Sequence, residues 1–350
     1  TYGVLDRRAR AVAAWLQGNG CQKGDRVLMM LDDGHDYLAV LFGCMYAGAL
    51  AVAVHPPDPR RLERTLPRLQ NIAADAGVAF VATSSAVAKG ARSSFEAIGA
   101  LAGAGWLQIE DLDESRADAW VDPKMLADDL AYLQYTSGST ALPKGVMISH
   151  RNLTHQLIDF DTGYNHGPDS VLVTWLPATH DLGLVYGRLM PLFIGFRCVF
   201  MSPVAFMQRP FRWLRALSVH RGTHSPAPNF GYELAVRRSS PDELATLDLS
   251  SVEVLLNGAE PIREESELLF IETLAPHGLR RTAVTHAMGM SESTAKIVTE
   301  PIDRYPPRFV HLDALAYEAH RVIHVPPGSP GARTVASCGA TVLDTVVRIV

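Results

Sequence analysis

Cysteine is scarce in this sequence. The four present, Cys21, Cys44, Cys198 and Cys338, show neither C-x-x-C nor Cys/His ligand spacing. That excludes a disulfide framework and a zinc site, and fits reduced thiols in a cytosolic, cytoplasmic protein. A strong charge bias is also missing: the net charge is −5 and no long basic run occurs, so nucleic acid is not an expected partner. No secretory signal opens the sequence, and no internal repeat or low-complexity tract interrupts it. One long uncharged run exists, Tyr37 to Val54, close to the lower limit of roughly 18 residues for a membrane span. Leu38, Leu41, Phe42 and Met45 share one helical face, however, Gly48 is a natural stop, and Ala49 to Val54 resembles a buried strand. Helix, turn and strand are expected there, and no membrane span.

What is present is enough apolar material for a large core. The 350 residues are 47% hydrophobic and 20% charged, which suits about two to three soluble domains. Leu5, Ala9, Val12 and Trp15-Leu16 mark a first helix. Strands are predicted at Arg26 to Met30, Val78 to Val81, Trp106 to Ile109, Val171 to Leu176, Cys198 to Met201, Val252 to Leu256 and Val284 to Ala287. Between them fall predicted helices at Arg64 to Ala76, Asn152 to Asp161, Leu182 to Ile194, Phe211 to Leu217 and Phe230 to Arg237. A further helix is expected to start at Pro261, with Glu264 and Glu265 in the first turns where the helix dipole favours them. This alternation predicts an α/β fold of layered, largely parallel sheets covered by helices. From Pro301 onward six prolines and short Val/Ile segments change the texture, so a β-rich subdomain is expected after a boundary near Thr299.

The most informative stretch is Tyr132-Leu133-Gln134-Tyr135 followed by Thr136-Ser137-Gly138-Ser139-Thr140-Ala141-Leu142-Pro143-Lys144-Gly145. A buried strand leaves into a loop with four hydroxyls, a glycine that admits close backbone approach, and one lysine. These are the donors and the cation that a polyphosphate needs. No G-x-x-x-x-G-K-[ST] is present, and an ordinary Ser/Gly surface turn has the same composition, so both readings stand on the loop alone. Loops at Thr136, Pro177, Asn257 and Gly289 each follow a predicted strand, and ligands of such sheets sit outside the carboxyl ends of strands.

Taken together, the motifs resemble the acyl-adenylate-forming superfamily, which includes acyl-CoA synthetases, luciferases and peptide-synthetase adenylation domains. Thr136 to Gly145 looks like its phosphate loop. Asn257-Gly258-Ala259-Glu260-Pro261 resembles the segment lining the adenine pocket, and Gly289-Met290-Ser291-Glu292 the segment whose glutamate holds magnesium. A narrower resemblance is to fatty acyl-AMP ligases. It rests on Trp175-Leu176-Pro177-Ala178-Thr179-His180-Asp181-Leu182-Gly183-Leu184, on Met201 to Pro210, on Pro228 to Arg238 and on Ser337-Cys338-Gly339. It covers almost the whole chain, in family order.

The resemblance implies ATP-dependent activation of a fatty acid to an acyl-adenylate with release of pyrophosphate, then transfer to the phosphopantetheine of an acyl carrier protein. Thr136, Lys144, His180 and Glu292 are the implied catalytic residues. Nucleotide contacts fall on Thr136, Ser137, Gly138, Ser139, Thr140, Lys144, Asn257, Gly258, Ala259, Glu260, Pro261, Met288, Gly289, Met290 and Ser291. Glu292 would hold Mg²⁺, a hard cation that takes one or two carboxylates plus phosphate oxygens. The implied layout is an adenylation body of two similar subdomains over 1–299 and a partial β-rich subdomain over 300–350, where Thr299 to Ala336 can hold a ligase-type insertion. The family's ribose-binding aspartate motif and C-terminal lid, with its catalytic lysine, are not among these 350 residues, and the first motif is entered part-way. A truncated ligase body, poorly active alone, is therefore expected. One position departs from the pattern: the residue before Gly289, often an aromatic stacked on adenine, is Met288.

Three smaller readings complete the set. His180-Asp181 invites a catalytic dyad, but adjacent residues rarely point at one another, and a capping Asp beside a half-buried His is the plainer reading. His220 and His224 are spaced i, i+4, but Gly222 and Pro226 argue against one helix presenting both to a metal. Phe206, Phe211 and Trp213, with Met201 and Met207, suit either an acyl tunnel or plain core. Competing functions are an acyl- or aryl-CoA ligase and a non-catalytic adenylation-like binding module.

Overall fold

Short runs rich in Val, Leu, Ile and Ala form strands here because both faces of each are covered. In β1 (Arg26–Met30) every residue after Arg26 is buried, the pattern of a strand inside a parallel sheet. The computed structural model describes residues 1–57, 62–89, 98–136, 143–302 and 308–348. They form two units, Thr1–His155 and Gln156–Val350.

The first unit holds β1, β2 (Leu50–Ala53), β3 (Val78–Thr83), β4 (Gly105–Gln108), β5 (Leu130–Tyr135) and β6 (Gly145–Ser149) in the order β4-β3-β1-β2-β5-β6. All neighbours are parallel except β5 and β6, which are antiparallel. Leu28 and Met30 of β1, Val52 of β2 and Val81 of β3 pack with Leu69 and Ile72 of the helix Leu62–Ala76. Each such aliphatic side chain stabilises the unit by about 1.5–3 kcal/mol through burial. The apolar run Tyr37 to Val54 divides as expected into the helix His35–Ala47, Gly48 and β2. Gly48 takes φ 74°, a left-handed cap that other residues adopt only with strain. Among the described residues no helix is long and apolar enough to cross a membrane.

The second unit holds β7 (Val171–Thr174), β8 (Arg197–Phe200), β9 (His224–Ala227), β10 (Val254–Asn257), β11 (Val284–Gly289) and β12 (Lys296–Thr299), ordered β12-β11-β10-β9-β7-β8. Again all neighbours are parallel except the last pair, β11 and β12. β13 (Phe309–Asp313) and β14 (Ala332–Ala336) make a separate antiparallel ribbon, with Phe309 opposite Ala336 and Asp313 opposite Ala332. The fold is thus α/β, with mostly parallel sheets covered by helices and a small antiparallel sheet toward the C-terminal end.

Two predicted helices differ in detail, and one open choice is settled. The helix expected from Pro261 opens at Glu264 and runs to Leu274. Arg263 stays extended (φ −108°, ψ 124°), and its N–H is taken by Asn229 Oδ1 at 3.0 Å, so the helix cannot begin earlier. Leu182 to Ile194 is helical, but Leu182–Leu189 winds as a wide π-helix before an α-helical turn, Met190–Ile194. Phe206, Phe211 and Trp213 are buried core. Phe206 stacks on Trp175 at 3.8 Å between ring centroids, and the Trp213 indole N–H donates to Ser225 Oγ at 2.8 Å. Met207, weighed beside them as an acyl contact, is exposed.

Candidate active site

In the first unit the hydroxyl-rich loop joins β5 to its antiparallel partner β6. The Thr136 N–H donates to the Lys144 carbonyl at 3.2 Å and closes the base of the loop. The hydroxyl of Tyr135, the last residue of β5, donates to Asp75 Oδ2 at 2.6 Å and anchors that base to the helix Leu62–Ala76. Thr136 is half-buried and Lys144 exposed. Ser137, Gly138, Ser139 and Thr140 lie outside the described residues.

In the second unit the carboxyl ends of β7, β9, β10 and β11 lie along one edge, because the four strands are parallel. The chain leaving β7 reaches His180 and Asp181; the chain leaving β11 reaches Gly289 to Glu292. These two meet: Ser291 Oγ donates to Asp181 Oδ2 at 2.5 Å. Asp181 Oδ1 accepts the Leu182 N–H at 2.6 Å, so Asp181 caps the π-helix, as its residue type suggests. It also accepts the Nδ1–H of His180 at 2.9 Å, contrary to the expectation that neighbouring side chains diverge. The reason is local: Asp181 already has helical dihedrals (φ −52°, ψ −50°), and the tight turn folds both side chains to one side.

The electrostatics follow from this pairing. Hydrogen bonding to Asp181 raises the pKa of half-exposed His180 against the opposing effect of burial. Burial pushes the Asp181 carboxyl up, but the donors His180, Ser291 and Leu182 N–H outweigh it and hold it below the ordinary carboxylate range. The pair therefore presents an imidazole whose protonated form is favoured by a buried carboxylate.

The hairpin from β11 to β12 is tight. A Cβ on Gly289 would fall 1.8 Å from the Ala295 carbonyl oxygen, so only glycine fits where the two backbones cross. Thr294 is held at φ 72°, ψ −53°, and the Ala295 N–H bonds back to the Ser293 carbonyl at 2.9 Å, a γ-turn that stores backbone strain. Glu292 stands exposed on the turn Ser291–Ser293 just before it. Among the described residues no cluster of three or more His, Cys, Asp or Glu is placed to hold a metal. One free carboxylate still fits Mg²⁺, which takes most of its ligands from phosphate and water.

Asn257 ends β10 and is fully buried, while Ala259, Glu260 and Pro261 beyond it are exposed. Glu260 Oε1 accepts the Phe230 N–H at 2.6 Å, which pins this segment to the start of the helix Asn229–Arg237. Ala259, Glu260, Pro261 and Ile262 then form one side of a pocket of about 420 Å³. Ala287, Met288 and Gly289 form a second side, and residues of β14 with Cys338 a third. Two segments predicted to contact one nucleotide thus line one cavity.

The family model described as AMP-binding enzyme matches residues 1–350. The chain belongs to the AMP-binding enzyme family. This AMP-binding enzyme is 40% identical over 353 residues to the medium-chain-fatty-acid–[acyl-carrier-protein] ligase JamA of Moorena producens, matching 100% of this chain and 59% of that protein. It is 34% identical to the long-chain-fatty-acid–AMP ligase FadD32 of Mycobacterium marinum, matching 100% of this chain and 55% of that one. The chain thus spans little more than half the length of these relatives. A crystal structure of a fatty acyl-adenylate ligase from L. pneumophila, in complex with acyl adenylate and pyrophosphate, superposes with a TM-score of 0.89 at 33% identity, covering 97% of this chain and 58% of that one.

Several buried polar groups of this AMP-binding enzyme were not found from sequence. Glu267 accepts from Asn257 Nδ2 at 2.9 Å and pairs with His286 Nε2 at 2.8 Å. Lys296 Nζ lies 2.7 Å from Asp159 Oδ1 with both side chains almost wholly buried, and sits over the rings of Phe160 and Tyr164. His224, read as a core or loop histidine, is core: its Nε2–H donates to the Tyr164 carbonyl at 3.1 Å while Nδ1 receives the Thr223 hydroxyl at 2.7 Å. His220 is apart from it, 3.1 Å from Arg197. The one sequence signal was weak: Glu267 belongs to the acidic opening of its helix, but nothing marked it as inward-facing.

Proposed function

We propose that this chain is the nucleotide- and acyl-binding body of a fatty acyl-AMP ligase. It would use ATP to convert a fatty acid to its acyl-adenylate and pass the acyl group to the phosphopantetheine of an acyl carrier protein. The observation that carries the reading is one pocket lined by Ala259, Glu260 and Pro261 and by Met288 and Gly289, residues that the family resemblance assigns to one nucleotide. The similarity to ligases that activate medium- and long-chain fatty acids supports the substrate class. In this reading residues 1–299 are the adenylation body, and 300–350 begin a β-rich subdomain whose Thr299 to Ala336 segment carries the ligase-type insertion.

The chemistry asks for charge stabilisation more than for a covalent nucleophile. A carboxylate oxygen of the fatty acid attacks the α-phosphorus; the new P–O bond forms as the bond to pyrophosphate breaks, and the electron pair leaves with pyrophosphate. Thr136, Ser137, Gly138, Ser139, Thr140 and Lys144 would bind the phosphates. Asn257 to Pro261, with Met288 to Ser291, would seat the adenosine. His180, whose protonated form is favoured by Asp181, would donate to oxygens that gain charge. Mg²⁺ held by Glu292 would neutralise phosphate charge when bound.

Pyrophosphate release by the intact gene product, measured across fatty acids of different chain lengths, tests this directly. Fatty-acid-dependent release is expected, with the acyl group recovered on carrier protein and not on CoA. Recovery on CoA alone would move the enzyme to the acyl-CoA ligases.

A further inference from the structure

His286 is fully buried at the carboxyl half of β11, immediately before the pocket residues Ala287, Met288 and Gly289. Its ring makes two hydrogen bonds. Nδ1 lies 2.8 Å from the Ser337 carbonyl oxygen, and Nε2 lies 2.8 Å from Glu267 Oε2. A carbonyl can only accept, so Nδ1 carries a proton. Glu267 Oε2 also accepts from Asn257 Nδ2 at 2.9 Å, so one carboxyl oxygen joins the ring to the end of β10. With Nε2 donating to that oxygen as well, both ring nitrogens donate, as in an imidazolium.

These contacts lead to different sides of the pocket. Ser337 lies between Ala336 and Cys338, which line it; Asn257 ends the strand that leads to Ala259 and Glu260; and His286 itself precedes Met288. We propose that His286 is a positioning residue that ties the three walls of this pocket together, directly to the Ser337 segment and through Glu267 to the end of β10, and so sets affinity for the nucleotide base. The inference rests on the adenylation reading for the identity of that ligand, though not for the clamp itself.

Burial opposes the charge on His286, but Glu267, the Ser337 carbonyl and the more distant Glu300 outweigh it and raise its pKa above the ordinary imidazole value. The helix Glu264–Leu274 offers Glu267, and also Glu264, which lies 3.8 Å from His311 of β13. The residue after β12 is Glu300, itself paired with Arg308 at 3.2 Å, and β13 adds the uncharged ring edge of Phe309 at 5.2 Å. Because the folded pKa is raised, the clamp is complete below the unfolded value near 6.5 and is lost as pH rises through the folded one.

The test compares wild type, His286→Gln and Glu267→Gln in the intact gene product. His286→Gln should raise KM for ATP about tenfold with kcat within about threefold, and should abolish the rise in KM expected of wild type as pH passes through the folded pKa of His286. Glu267→Gln keeps an acceptor for Asn257 and should shift that alkaline rise to lower pH. An unchanged KM, or an equal loss in kcat and kcat/KM, overturns the proposal. If His286→Gln does not fold, the wild-type ¹⁵N imidazole spectrum decides: two protonated nitrogens at neutral pH support the clamp, and a neutral tautomer overturns it. If wild type releases no pyrophosphate with any fatty acid, the adenylation reading falls by itself. The clamp is then judged by that spectrum and by hydrogen exchange at Ala287–Gly289, which His286→Gln should accelerate.

Discussion

The two units close their sheets in the same way and use the closure differently. In each, five parallel strands are completed by one antiparallel edge strand, and the candidate ligand loop lies in the hairpin that adds it: Thr136 to Lys144 between β5 and β6, Met290 to Ala295 between β11 and β12. The first loop is rich in hydroxyls, with a glycine and a lysine, and among the described residues it is closed at its base by the backbone bond from Thr136 N–H to the Lys144 carbonyl. The second is tied to distant parts of its unit, through Ser291 to Asp181 and, at its end, through Lys296 to Asp159 and to Gln156 Oε1, which accepts the Lys296 N–H at 3.1 Å. Side-chain substitutions at the second loop's ties therefore reach the core of its unit, whereas the backbone tie of the first survives substitution at Thr136 or Lys144.

The sharpest way to break this contrast is Lys296→Ala. It strands a buried carboxylate, and removing one partner of a buried pair costs about 3–5 kcal/mol. Urea denaturation should show that loss, and Lys296→Met with Asp159→Leu should recover most of it. A single-variant loss below about 1 kcal/mol would mean the pair does not secure the hairpin.

Acid should discriminate next. Burial, with repulsion from His224 and Lys296, lowers the pKa of His166 to about 3, and burial lowers that of His224 to about 4. The unfolded chain binds protons at these sites that the folded chain does not. Stability is therefore fully present above about pH 6.5 and declines as pH falls toward 4, by on the order of a few kcal/mol. Hydrogen exchange followed from pH 7 to pH 4 should show β7 and β9 losing protection, and a flat profile there would contradict the burial argument.

The smallest expected effect on stability comes from the first loop. Thr136→Ala and Lys144→Ala should each change unfolding free energy by no more than about 0.5 kcal/mol, as surface substitutions do. Both should lower pyrophosphate release at least about tenfold, since in the proposed function each removes a donor to phosphate. Equal loss of stability and activity would erase the distinction between the loops.

The same distinction explains what could be found from sequence. Runs such as Arg26 to Met30 show their burial in composition, and the Thr136 loop shows its chemistry in consecutive residues. Asn257 to Pro261 and Gly289 to Glu292 were recognisable as motifs, but the clamp behind them was not, because Glu267, His286 and Ser337 are separated in the chain and meet only through sheet order. Lys296 and Asp159 were hidden for the same reason. The π-helix at Leu182–Leu189 escaped because its apolar pattern also suits an α-helix. The pairing of His180 with Asp181 needed a dihedral angle that no residue spacing reveals.

The hairpin closures also bear on how such a chain reaches its native state. β2 cannot pair with β5 until the intervening β3 and β4 segment has been spanned, whereas β5 meets β6, and β11 meets β12, across a single short loop. Loop closure is least costly in chain entropy for the hairpins, and local pairing outruns parallel pairing. Each ligand loop is therefore carried by a contact of its sheet that is kinetically easiest to make, so the functional edge is a natural starting point for assembly and not its last addition.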